Sequence, residues 1–381
     1  MRIAKKGRRA NNEGSISHYA DGRWCGRYFV ELPDGRKKRK AIYGNSRKEV
    51  TNKLTQALAK RDDGVVVDDE GQSLGEYIEW WLTTSKRGRV KATTYESYAR
   101  EVRKHIIPGL GRIRLGSLTP AHLQSYYSFK CESGLAPRTV QYHHTLLHQA
   151  LKNAVKWGYV RRNVAALVDP PKVEKKEIHP LSAAEVDTFL EAAKGDRLEA
   201  LYLLAVSTGM RQGELQALKW ADIDLRERTL SVNRTLSAVY GGPVFTPPKT
   251  SKSRRKIFVS RKSVEALRRH REHQETEKEA VADRWHDDDL VFCSSVGTPL
   301  SRHNVRSRSF KPLLRRAELP AIRFHELRHT CATLLLSKNI HPKLVQELLG
   351  HASISTTLDT YSHVLAGMSR GVADAMDNIL P

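Results

Sequence analysis

Near the front of the chain, three short runs alternate polar and apolar positions. They cover residues 15–20, 23–32 (with Trp24, Tyr28 and Val30 on alternate positions) and 36–43, and they are separated by Asp21-Gly22 and Asp34-Gly35. Asp-Gly between β-prone runs signals a hairpin, because a tight turn needs residues that tolerate positive φ. A three-stranded antiparallel sheet is therefore predicted. The period then changes. Behind Ser46, Val50, Leu54, Ala57 and Leu58 recur at helical spacing, which predicts a capped helix to about Lys60 backing that sheet.

Residues 72–172 read as helical throughout. One helix covers 73–82, and a second covers 93–107 and is expected to stop at Pro108-Gly109. Thr119-Pro120 opens a third, and a fourth runs from Pro137 to Trp157 before Gly158. Pro170-Pro171-Lys172 and the mixed charges up to Pro180 read as a linker. Beyond it, Ser182 and Glu185 have capping-box spacing and helices dominate. One interruption, residues 229–259, alternates β-prone runs with turns and predicts a small antiparallel sheet. The expected fold is multidomain. It comprises a small α+β domain at 1–66, an all-α domain at 67–172, and a mainly α domain with a small antiparallel sheet at 173–381.

Charge adds a partner to this outline. The 381 residues carry 65 Lys+Arg and 42 Asp+Glu, a net of +23. Residues 1–60 hold 16 basic and 5 acidic residues, and 71–178 hold 18 and 8. The last 203 residues are nearly balanced, at 30 and 24. Two consecutive blocks this basic point to a polyanion, nucleic acid above all. The third strand begins Arg36-Lys37-Lys38-Arg39-Lys40, cationic on both faces, and such a sheet can lie in a DNA groove. Lys86, Arg87 and Arg89 form a basic loop in the helical region. No apolar run is long enough for a membrane span, and no run follows the basic N-terminus as a secretory signal requires. The four cysteines form no CxxC pair, so a reducing cytoplasm is the default compartment.

Candidate chemistry lies in the last region. Arg211 stands in Gly209-Met210-Arg211-Gln212-Gly213-Glu214-Leu215, at the start of a helix. His325 and Arg328 stand in His325-Glu326-Leu327-Arg328-His329-Thr330, three apart and hence on one helical face, as a phosphate-binding pair would be. His351 follows Leu349-Gly350, and Tyr361 comes ten residues later. Singly these are ordinary: a surface arginine, an exposed helix, a packing tyrosine. Taken in order, with their neighbours, they resemble the tyrosine recombinases of the phage-integrase family over about residues 179–365.

The resemblance implies an enzyme that cleaves and rejoins DNA strands through a covalent 3′-phosphotyrosine. Tyr361 would be the nucleophile, Arg211 and Arg328 the clamp on the non-bridging oxygens, His351 a further donor, and His325 a proton acceptor or phosphate ligand. It also implies a general-acid lysine in a β-hairpin turn. Lys249 lies where that lysine should, with Lys252 and Lys256 as neighbours that compete for the role. The front domains would be an arm-type DNA-binding domain (1–66) and a core-binding domain (67–172). No cofactor or metal is called for. The implied partners are double-stranded DNA with core and arm attachment sites and three further copies of the chain in a tetramer. A host DNA-bending factor and an excisionase would complete the set, in a bacterial cytoplasm. Three rivals share parts of the pattern. One is an inactive DNA-binding regulator on the same scaffold. Another is a type IB topoisomerase. The third is a zinc peptidase, since His325-Glu326-x-x-His329 spells HExxH, with Glu347 as a candidate third ligand.

Overall fold

The computed structural model describes residues 14–31, 37–62, 72–174, 179–239, 242–248, 253–355, 357, 358 and 361. The chain divides into two compact units, Met1–Lys175 and Lys176–Pro381.

The first unit opens with β1 (Ser15–His18), β2 (Trp24–Glu31) and β3 (Lys37–Gly44) in an antiparallel sheet ordered β1-β2-β3. The Asp21-Gly22 turn forms as expected, with the Gly22 amide donating to the Tyr19 carbonyl at 3.0 Å. The expected Asp34-Gly35 turn lies outside the described residues. Helix α1 (Arg47–Asp62) starts at Ser46, whose hydroxyl accepts from the Glu49 amide, and it buries Val50 and Leu54. Then come α2 (Leu74–Trp81), α3 (Ala92–Glu101), α4 (Ile107–Leu110), α5 (Pro120–Glu132) and α6 (Pro137–Lys156). Their shared core holds Tyr77, Trp81, Leu123, Tyr127 and Leu147. Its buried aromatics satisfy their polar tips: the Tyr77 hydroxyl donates to the Ala150 carbonyl at 2.7 Å, and the Trp81 indole to Asn153 at 3.0 Å. One boundary differs from expectation. The chain does not leave the helical path at Pro108-Gly109 but continues to Leu110. A wider π-type turn at Val102–Ile106 lets a new helix begin at Ile107, so Pro108 falls in a first turn, where its missing N–H costs nothing.

The second unit contains α7 (Ala183–Ala193), α8 (Glu199–Thr208), α9 (Gln212–Leu215), β4 (Ile223–Asp224), β5 (Thr229–Val232), β6 (Thr235–Val239), β7 (Gly242–Thr246) and β8 (Arg255–Phe258). These are followed by α10 (Arg261–Val281), α11 (Arg302–Asn304), α12 (Lys311–Arg316), α13 (Glu326–Ser337) and α14 (Pro342–Leu349). The capping box at Ser182 and Glu185 forms. Helix α8 is apolar on almost every side because it packs against α7, α10 and α13. Phe189, Tyr202, Phe310 and Phe324 interlock edge-on around it. Where one sheet was expected there are two, β4-β5-β8 and the hairpin β6-β7. Asn233 and Arg234, between β5 and β6, both bond to Asp222, and the chain leaves the first sheet there.

Candidate active site

Five elements of the second unit meet at their ends: α8, α9, β8, α13 and α14. Gly209 terminates α8 at φ 60°. A Cβ there would lie 2.4 Å from a Leu349 methyl carbon, so both the backbone conformation and the approach of α14 demand glycine. Two residues on, Arg211 is the N-cap of α9. Its amide donates to Glu214 Oε2 at 3.0 Å and its Nη1 to Glu214 Oε1 at 2.8 Å, leaving the guanidinium partly open to solvent.

Arg328 lies on the first turn of α13 and is only 2 % exposed. Its Nη1 donates to the Gly209 carbonyl at 2.8 Å, which ties it to the loop that carries Arg211. Its Nη2 is buried with no hydrogen-bond partner among the described residues. An unmet buried donor costs about 1–3 kcal/mol, and more when charged. Burial, then the Arg211 charge, pulls the Arg328 pKa down to about 9, so it remains a cation at pH 7. Both features favour an anion at this position. His325 precedes the helix and is solvent-exposed at the rim. Dehydration by packed neighbours, then the charges of Arg328 and Arg211, lowers its pKa.

Gly350 ends α14 at φ 67°, and His351 follows. The His351 Nδ1 lies 2.8 Å from the hydroxyl of Thr357, a buried residue. Burial and the Arg328 and Arg211 charges push its pKa down to about 4, so it is neutral at pH 7. With the Thr357 hydroxyl donating to Nδ1, the proton sits on Nε2, which is then the donor. Tyr361 is 2 % exposed and packs among Ala332, Leu336, Val345 and Leu349. Burial raises its pKa to about 12, with Arg328 opposing that rise. Its hydroxyl lies 2.8 Å from Nδ1 of His329, not from His325. Burial also pushes His329 down to about 4, so it is neutral at pH 7, and in the tautomer with its proton on Nε2 its Nδ1 accepts the phenolic proton. Two cations, three imidazoles (His329 and His351 neutral at pH 7) and a phenol thus share one site. That set suits a tetrahedral anion attacked by an oxygen nucleophile.

The other expected residues fare unevenly. Lys249 and Lys252 lie outside the described residues, while Lys256 is exposed on β8. On β3, Lys37 and Arg39 are exposed and Lys40 is half-buried; Arg36 and the Lys38 side chain lie outside the described residues. Arg87 and Arg89 are exposed. Lys86 is committed to its own domain: its ammonium donates to Gln149 at 3.2 Å and stands 4.8 Å over the Trp81 ring. The HExxH string is committed too. Glu326 is held by Arg323, and His329 by Tyr361, while Glu347 pairs with Lys343 on the surface. Among the described residues, no three His, Cys, Asp or Glu side chains are grouped to hold a metal ion. Nor is any helix there long and apolar enough to cross a membrane.

Residues 179–367 match the model of the phage integrase family, and residues 73–130 match the phage integrase N-terminal SAM-like domain. The chain is 31% identical to a tyrosine recombinase XerC-like protein of Caldanaerobacter subterraneus subsp. tengcongensis, over 91% of this chain and 93% of that protein. The chain belongs to the phage integrase family. It is a tyrosine-type site-specific recombinase. It is also 28% identical to the ICEBs1 integrase of Bacillus subtilis, over 76% of this chain and 79% of that one. Among solved structures, its fold is similar to the Tn1549 transposon integrase in complex with transposon right end DNA. That match has a TM-score of 0.68 at 22% identity and covers 78% of this chain and 99% of that one. A lambda integrase dimer bound to a core site matches at TM-score 0.55 and 22% identity, over 93% of this chain and 97% of that one.

Sequence reasoning about this recombinase missed several contributors. Arg255, on β8 with its side chain largely enclosed, bonds to Glu214 Oε2 at 3.0 Å, and Glu214 thereby joins two guanidiniums. His329 and Thr357 carry the contacts to Tyr361 and His351. His329 and Glu214 stand in the motifs read from the sequence, but no local signal marks these contacts. They are recognisable only by what the fold brings beside them.

Proposed function

We propose that the recombinase cleaves one DNA strand at a time with Tyr361 as nucleophile, using Arg211, Arg328, His325 and His351 to hold the scissile phosphate. The observation that carries this is the buried Arg328, with an Nη2 unmet among the described residues, coupled electrostatically to Arg211, Tyr361 and His351. The phenolic proton passes to His329 Nδ1 as the Tyr361 oxygen bonds to phosphorus. The bond from phosphorus to the 5′-oxygen breaks, and Lys249 donates a proton to that oxygen. The product is a 3′-phosphotyrosine that retains the energy for rejoining. Removing one such electrostatic donor typically costs about 10²–10³ in rate.

The partner is double-stranded DNA, and four copies act on two sites. The Tn1549 and lambda integrase structures that the fold resembles hold DNA, one of them as a lambda integrase tetramer on a Holliday junction. Residues 67–172 grip the core site and residues 1–66 the arm site, with Lys37 and Arg39 exposed on β3 to meet phosphates. A host DNA-bending factor and an excisionase complete the reading. The test is a nicked duplex carrying the attachment-site core, identified from the DNA that flanks the gene. Wild-type protein is expected to become covalently trapped through Tyr361. Trapping through another residue overturns the assignment. Deleting residues 1–64 is expected to spare core-site cleavage and impair full integration, and integration at wild-type efficiency would refute the arm-binding role.

A further inference from the structure

We propose that Arg255 is a positioning residue that sets Arg211 and His351 against the same phosphate, through Glu214 and through the end of α14. The inference rests on the roles proposed above for Arg211 and His351. The Arg255 side chain is 8 % exposed and points away from bulk water. Its three nitrogens reach three different segments. Nη2 donates to Glu214 Oε2 at 3.0 Å, Nε to the Leu348 carbonyl at 2.6 Å, and Nη1 to the Ser253 carbonyl at 3.1 Å. Glu214 passes the constraint on, since it also takes the Arg211 amide and Nη1. Leu348 is in the last turn of α14, three residues before His351. Gly350 lies so close that an added Cβ would stand 3.0 Å from Nη1. Ser253 is four residues beyond Lys249.

Glu214 is buried between two guanidiniums, that of Arg255 largely enclosed with it and that of Arg211 partly open to solvent. Burial alone would raise its pKa, but Arg255, and after it Arg211, offset that and leave it ionised. A buried ion pair is weak evidence for stability, because well-packed apolar side chains often serve as well. What the guanidinium fork supplies is direction: three donors at fixed angles from one rigid group. A lysine in its place keeps the charge beside Glu214 and loses the fork.

The experiment measures covalent adduct formation on the nicked core duplex, over a range of DNA concentrations up to saturation. Arg255→Met, Arg255→Lys and Glu214→Gln/Arg255→Met are compared with wild type, Glu214→Gln and Tyr361→Phe. A misplacement of about 1 Å can cost about 10²-fold, so Arg255→Met is expected to slow the saturated rate by about that factor. Arg255→Lys is expected to lie between it and wild type, and half-saturation is expected at the wild-type DNA concentration. Because Arg255 acts through Glu214, the double variant is expected to be little slower than the slower single. A wild-type saturated rate in Arg255→Met overturns the proposal, as does a loss that saturating DNA restores or a double variant whose losses multiply. If thermal unfolding finds Arg255→Met unfolded, the charge-retaining Arg255→Lys decides, and a wild-type rate there overturns it. Tyr361→Phe separates the two readings: an adduct formed without Tyr361 overturns the catalytic assignment, whereas wild-type cleavage by the Arg255 variants beside a dead Tyr361→Phe overturns only the positioning role.

Discussion

The two ends of this recombinase use the same residue types in opposite ways. Residues 1–60 carry 16 Lys+Arg against 5 Asp+Glu, and on β3 Lys37 and Arg39 stand in solvent. The last 203 residues are nearly charge-balanced, yet Arg328 and Arg255 are withdrawn into the protein. Exposed cations attract a polyanion in proportion to their number, wherever each one sits. Buried cations are few and each has an address: Arg328 on Gly209, Arg255 on Glu214, Leu348 and Ser253. On the proposed function, number holds DNA and address selects the bond that breaks. Variants of the two kinds should therefore fail differently.

The largest effect is expected at Tyr361, the proposed nucleophile. Tyr361→Phe removes one oxygen from a residue otherwise packed among Ala332, Leu336, Val345 and Leu349. It is expected to bind core DNA normally and to yield no protein–DNA adduct resistant to denaturing electrophoresis. Next comes Arg328→Lys, which keeps the charge but loses the fork that holds Gly209 and, on the proposed reading, the phosphate. Adduct formation at saturating DNA is expected to fall about 10²–10³-fold, with DNA affinity little changed. A loss confined to affinity would mean that Arg328 behaves like a surface cation, and the contrast between the regions would collapse.

Much of this site is legible in the chain. Arg211, His325, Arg328, His351 and Tyr361 stand out not singly but as an ordered set with their neighbours, and glycines mark the helix ends beside Arg211 and His351. Gly209 and Gly350, the two glycines that end helices there, adopt the left-handed conformation expected of such residues. The supporting contacts are not legible. Glu214 and Arg255 are 41 residues apart, and His329 and Tyr361 are 32 apart. His329 adjoins Arg328 in sequence but faces elsewhere on α13, and nothing before the fold points it at Tyr361. The continuation of the helix past Pro108 was hidden for a related reason. A local rule for proline cannot see that the π-type turn before it resets the hydrogen-bond ladder.

His329 sharpens the comparison from the chemical side. Its Nδ1 is the atom 2.8 Å from the Tyr361 hydroxyl, so His329→Leu is expected to slow adduct formation about 10²-fold, the lower end for a lost proton acceptor. An unchanged rate at pH 7 would return the proton to His325. The same burial has a consequence for stability. Both His329 and His351 are held at about 4, below the ordinary histidine value of about 6.5. As pH falls from 7 toward 4, the unfolded chain takes up these protons before the folded one does, so folding stability falls with pH in that window. Thermal unfolding is expected at a lower temperature at pH 5 than at pH 7, and replacing both imidazoles with uncharged side chains should flatten the difference.

The smallest effect is the one that isolates the front of the chain. Lys37→Gln/Arg39→Gln removes two exposed cations from β3 and disturbs no buried contact described for that sheet. Each phosphate contact contributes about 0.9 to the slope of log affinity against log salt, so the double variant should lower that slope by about 1.8 on arm-site DNA. Core-site cleavage at saturating DNA should not change, because neither side chain belongs to the catalytic unit. Filter binding across a salt series gives the first number and adduct formation gives the second. A slope that stays at the wild-type value would remove these two residues from the DNA interface. A cleavage rate that falls with the slope would mean that the front cations do more than hold, and that number and address are not separate devices in this enzyme.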